Sequence, residues 1–188
     1  MSTPRIFGKQ SGLFLCLLSS ALSAISAIAA WPGRPDTSRA PEWLLSYAPG
    51  VIFAILVLFP LAFKQSYIVL RAIGLLILST LTYYGAVRIA LWRADTHHGI
   101  FGVIAAGAFG ALVMSLLSPL LLKRKAQVLT TIIALVLGTL GGYVIGFAVY
   151  THYEVSDYVI YSILALGFAI WQCGVGLCIV RESKGHGA

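Results

Sequence analysis

Residues 99–122 read GIFGVIAAGAFGALVMSLLSPLLL and stop at Lys123-Arg124-Lys125, with no charged side chain before that boundary. A helix rises about 1.5 Å per residue and the bilayer's hydrocarbon core is roughly 30 Å thick, so about 20 apolar residues in a row cross it. This stretch is long enough, and it lacks the apolar/polar alternation of a transmembrane β-strand. It therefore predicts a membrane-crossing helix with a basic boundary. Working outward, five further runs have the same character: Gly12–Trp31, Leu44–Phe63, Tyr67–Trp92, Ala126–Tyr150 and Val155–Val180. The expected fold is all-α, a bundle of six transmembrane helices forming one domain over residues 1–188.

Composition agrees. Of 188 residues, 59% are hydrophobic and 10% charged, against roughly half and a quarter in ordinary soluble domains. A disordered chain and a soluble enzyme are excluded. The three cysteines form no CxxC and lie inside predicted helices, where thiols behave as small hydrophobes, so a disulfide scaffold is excluded too. The first run admits a second reading. Arg5 and Lys9, the apolar stretch and the small residues Ala27-Ile28-Ala29-Ala30 also describe a secretory signal peptide.

Cytoplasmic loops carry an excess of Lys and Arg. With the N-terminus inside, nine fall there: Arg5, Lys9, Lys64, Arg71, Lys123, Arg124, Lys125, Arg181 and Lys184. Arg34, Arg39, Arg88 and Arg93 fall outside. Both termini are expected in the cytoplasm, with the protein in a bacterial inner membrane. The same bias accounts for the net charge of +7, so nucleic acid is not an expected partner. Lys123, Arg124 and Lys125 are positioned for lipid headgroups, each contributing on the order of 1 kcal/mol near an anionic surface. The outer segment from Pro32 to Glu42, flanked by Trp31 and Trp43, is the one sizeable loop predicted.

Sliding the chain against itself by 59 residues aligns two hairpins without a gap. Leu58, Pro60, Leu61, Lys64, Val69, Leu70, Ile73, Leu76, Leu78, Thr80, Leu81 and Tyr84 meet identical residues at 117, 119, 120, 123, 128, 129, 132, 135, 137, 139, 140 and 143. The match reads as a parallel repeat of about 50–91 on 109–150, an arrangement some transporters show; convergence of hairpins under the same physical demands is the alternative. Pro60 and Pro119 should each disturb the last turn of their helix.

Small residues recur every four positions as Gly102, Ala106 and Gly110 in span four and as Gly138, Gly142 and Gly146 in span five. Such rows let backbones approach closely, so spans four and five should cross tightly. Span one carries the weaker row Ser19, Ser23 and Ala27. Homo-oligomer contact through such a face is the alternative to packing within the chain.

No intramembrane acid or histidine marks an ion relay, and no nucleophile elbow, zinc-helix histidine pair or phosphate loop is present. The reading is non-enzymatic, without cofactor or metal; His97, His98 and His152 sit near Asp95, Glu154 and Asp157 without ligand spacing. One polar stripe stands out. Thr80, Tyr84 and Arg88 share a face of span three, and Thr139 and Tyr143 repeat it in span five. Under an aromatic rim these would form an outward site for a small anionic or amphipathic ligand, its carboxylate or phosphate gripped by the Arg88 fork. The expected function is binding or transport of a small solute or lipid-like molecule, as a subunit of a larger transporter or with a membrane-protein partner. An interaction, assembly or toxin-immunity protein is the rival. Length and span number are similar to those of the substrate-binding subunits of energy-coupling-factor vitamin transporters, a likeness of topology alone.

Overall fold

The computed structural model describes residues 9–29, 42–63, 67–92, 99–123, 126–151 and 156–182. Each described segment is a helical rod, with no strand among the described residues. The rods are α1 (Lys9–Ala29); α2 (Glu42–Phe53), running through a π-helical turn π1 (Ala54–Leu58) into α3 (Phe59–Ala62); α4 (Ile68–Trp92); α5 (Gly99–Leu121); α6 (Val128–Thr151); and α7 (Asp157–Phe168), continuing through a second π-helical turn π2 (Ala169–Cys173) into α8 (Gly174–Glu182).

Five rods are long and apolar enough to cross a membrane. The second differs from the expectation of six equal spans: its apolar stretch is the shorter Tyr47–Ala62, holds Pro49 and is interrupted by π1. Proline is the physical reason. The Pro60 ring would clash with the Leu56 carbonyl in a regular α-helix and offers it no N–H. Widening the turn before it relieves that crowding, and the Phe59 N–H reaches back five residues to the Ala54 carbonyl. Pro119, by contrast, lies inside regular α5, whose end follows two residues later with Lys123 in a left-handed conformation, φ 50°.

Each rod packs on its successor along the chain, and the sixth returns to α1, so the bundle closes in sequence order. Its outside is apolar. Val69, Leu70, Leu120, Val128, Leu129 and Leu166 are all exposed, an extent of bare hydrocarbon that suits lipid and not water. The chain is an integral membrane protein.

The tightest crossing is α5 against α6. A Cβ on Gly107 would strike the Gly138 carbonyl, and one on Gly142 would lie 2.6 Å from the Val103 carbonyl oxygen and 3.1 Å from Ile104 Cα. Gly146 sits against Ile100 and Val103. The α6 row is therefore Gly138, Gly142 and Gly146, but its counterpart on α5 is Val103, Gly107 and Ala111. Gly102, Ala106 and Gly110 are buried one position round the helix, where Gly110 receives the Trp171 ring instead. The serine row of α1 is buried inside the bundle.

The repeat is not confirmed. Residues 54–58 form a π-turn while their aligned partners 113–117 are regular α-helix. Val69, Leu70, Ile73 and Leu81 are exposed, as are Val128, Leu129, Ile132 and Leu140 aligned with them. A third of the identities thus lie where lipid asks only for a large apolar side chain.

Candidate functional site

Two helices in this bundle lose their regular hydrogen-bond ladder, and both do so beside the same place. Phe53 ends α2 just before π1, while Trp171 and Gln172 belong to π2. Between them is a pocket of about 30 Å³ lined by Pro49, Gly50 and Phe53 of α2, Ser79, Thr82 and Tyr83 of α4, Gly110 and Met114 of α5, and Trp171, Gln172 and Val175. A water needs about 10–15 Å³ on this measure, so the space suits a molecule of very few heavy atoms.

Its walls are mainly apolar and aromatic. Tyr83 and Trp171 lie with ring centroids 5.4 Å apart, and Phe168 lies beyond Trp171 at 6.2 Å. Trp171 can sit this deep because its neighbours carry no side chain: a Cβ on Gly110 would come within 2.6 Å of the ring and one on Gly141 within 2.7 Å of the Trp171 Cβ. Gly50 does the same for α2 against α4, where a Cβ would meet the Ser79 carbonyl oxygen at 2.8 Å.

Two of the polar lining residues are tied across helices. Gln172, buried, donates from Nε2 to the Pro49 carbonyl at 3.4 Å and accepts at Oε1 from the Ser19 hydroxyl at 3.2 Å. Ser79 donates to the Gly50 carbonyl at 2.7 Å. Three bonds between helices thus join α1, α2, α4 and π2. Elsewhere the hydroxyls of Ser20, Ser26, Ser118, Thr139 and Ser162 turn back on carbonyls of their own helices, the ordinary way of satisfying a hydroxyl in a membrane helix. An amide with two donors and two acceptor lone pairs is not saturated by two partners, so Gln172 keeps hydrogen-bonding capacity at the pocket edge.

The stripe expected to bind an anion does not assemble. α4 and α6 flank α5 on opposite sides. Thr80 backs onto Gly50 of α2, and Tyr84 stacks on Tyr47 with centroids 5.3 Å apart and planes 3° from parallel. Arg88 is exposed, Thr139 bonds the Leu135 carbonyl, and Tyr143 is half exposed. The reason is the ring order, which the sequence spacing does not contain. Of the headgroup candidates, Lys123 is exposed at the end of α5, while Arg124 and Lys125 lie outside the described residues, as do His97, His98, His152, Asp95 and Glu154. Among the described residues no three His, Cys, Asp or Glu gather to hold a metal.

Compared with known proteins, the chain matches no family model, no curated protein and no solved structure.

The residue that sequence reasoning passed over is Gln172. The six predicted spans hold two glutamines, Gln127 at the very start of the fifth and Gln172 well inside the sixth, and the chain has no asparagine. A search confined to ionisable intramembrane residues steps over a neutral amide.

Proposed function

We propose that this membrane protein binds and moves a small, neutral, hydrogen-bonding solute, with the pocket between α2, α4, α5 and π2 as its binding site. The reading is carried by Gln172. A buried amide carried by a π-turn and lining a pocket with Gly50 and Gly110 is costly in hydrocarbon, and π-turns in helices are frequent at functional sites. Neutrality follows from the lining, in which no side chain is ionised at neutral pH. The pocket volume favours a few-atom solute over a vitamin or lipid. All six rods cross the membrane in this reading, with both termini in the cytoplasm of a bacterial cell, as the nine-to-four distribution of Lys and Arg supports. Membership in a larger transporter is compatible with a chain that has no nucleotide-binding motif of its own.

The experiment compares small molecules released from the purified wild type with those from Gly110→Val, whose added side chain forces Trp171 into the pocket. A neutral compound present in the first and absent from a normally folded second is the expected result. The same compounds from both, or only a co-purifying protein, would remove the pocket from the function and favour the interaction or immunity class.

A further inference from the structure

The pocket between α2, α4, α5 and π2 carries a particular set of donors and acceptors. Gln172, with one bond to the Ser19 hydroxyl and one to the Pro49 carbonyl, keeps an amide N–H and a carbonyl lone pair. These lie side by side on one planar group. Ser79 donates its hydroxyl proton to the Gly50 carbonyl, so its oxygen is left as an acceptor, and Thr82 adds a second hydroxyl to the lining. On the α5 side the pyrrole edge of Trp171 lies against Gly110, with Nε1 3.5 Å from where a Cβ on that glycine would stand. An indole N–H donates only, so it asks a ligand for an acceptor.

We infer that the solute is a small primary amide or urea, paired edge to edge with the Gln172 side chain. The inference rests on the pocket being the binding site and names what that site selects. A primary amide carries an N–H and a carbonyl oxygen side by side, the same pair as Gln172 in reverse, so the two groups join through two hydrogen bonds at once. An alcohol places donor and acceptor on a single oxygen and matches the pair poorly. A ketone has no donor.

The ligand's other polar atoms find partners in the same lining. Its carbonyl oxygen has a second lone pair for the Trp171 N–H, and its remaining N–H, or the second amino group of urea, has the Ser79 and Thr82 oxygens as acceptors. Phe53, Tyr83 and Trp171 supply flat apolar walls that suit a planar group. Ions are refused, because no lining side chain is ionised at neutral pH and a carboxylate or ammonium would be buried without a counter-charge. The cavity of about 30 Å³ holds two or three waters at about 10–15 Å³ each, the space of a molecule of about four non-hydrogen atoms such as urea or acetamide.

The test is saturation-transfer difference NMR on the full-length protein in nanodiscs, with probes of equal size read by their methyl protons: acetamide, acetone, propan-2-ol and acetate. Each signal is taken as the difference between wild type and Gly110→Val, which cancels uptake into lipid. A difference for acetamide, lost on adding excess urea below denaturing concentration, and none for the other probes is expected. Where Gly110→Val does not fold, displacement by urea decides alone, with acetamide displaced and the others not. A folded Gln172→Leu should lose the acetamide signal, and its retention would overturn the pairing. Acetone or propan-2-ol signals equal to that of acetamide would overturn the amide assignment and leave the pocket as the site. A signal from acetate would overturn it together with the neutrality of the site. No signal from any probe would overturn it as well, and the compounds released from wild type and Gly110→Val then judge the pocket separately.

Discussion

At the residue scale, the centre of the bundle rests on Gln172 bridging the Ser19 hydroxyl and the Pro49 carbonyl. Hydrogen bonds between membrane helices contribute about 0.6 kcal/mol on average and up to about 1.7 kcal/mol, because the separated helices find other partners. Gln172→Leu is similar in size and removes both bonds, so it should destabilise the protein by about 1–2 kcal/mol. Ser19→Ala alone should cost less, and in the Gln172→Leu background it should add almost nothing, since its partner is already gone. Detergent unfolding of the four proteins gives the cycle; strict additivity would mean that the 3.2 Å contact carries no energy. A hydropathy window averages Gln172 with its apolar neighbours, which is why the residue is inconspicuous in a reading by composition. The Thr80, Tyr84 and Arg88 stripe, by contrast, was conspicuous and spatially real along one helix. Spacing by four fixes a shared face but not which rod that face meets, and here it meets α2 where α6 was expected.

At the scale of elements, the helices were legible because about 20 uncharged residues between basic or aromatic boundaries have few other uses. Glycine rows also identified which pair of helices lies closest. The register on α5 slipped by one position because Gly102, Ala106 and Gly110 make the stronger small-residue row in the sequence, whereas the row that meets α6 begins with Val103 before Gly107 and Ala111. The π-turns were not legible. Pro60 announces a disturbance near π1, but π2 contains no proline, and a widened turn adds no residue type of its own. The glycine crossing gives a sharp prediction. Gly142→Ile puts a branched side chain where the Val103 carbonyl and Ile104 backbone leave no room, and overpacking of this kind costs about 1–3 kcal/mol. Leu140→Ile conserves volume at a lipid-facing position of the same helix and should change stability by well under 1 kcal/mol. Indistinguishable melting of the two variants would mean that α6 does not meet α5 through this row.

At the scale of the whole molecule, the closed ring places α1 beside the last rod, so the chain's two ends close the bundle and the first helix is integral to it. Its buried serine face meets Gln172, and a bundle lacking α1 would expose that amide to lipid. The second rod then decides the topology. From Glu42 to Ala62 it spans about 30 Å at about 1.5 Å per residue, enough to cross in spite of π1. If it crosses, the six rods are even in number and both termini share the side that carries nine of the thirteen basic residues. Single cysteines placed at Ser38 and Thr96 in a background without native cysteines should react with an impermeant thiol reagent from the periplasmic face, and those at Ser66 and Ser183 should not. If the second rod instead turned back within the membrane, Ser38 and Ser66 would label from one face and Thr96 from the other. That pattern would leave five crossings, put the termini on opposite sides, and bring Pro49, Gly50 and the Gln172 amide nearer one surface than the middle of a transport path.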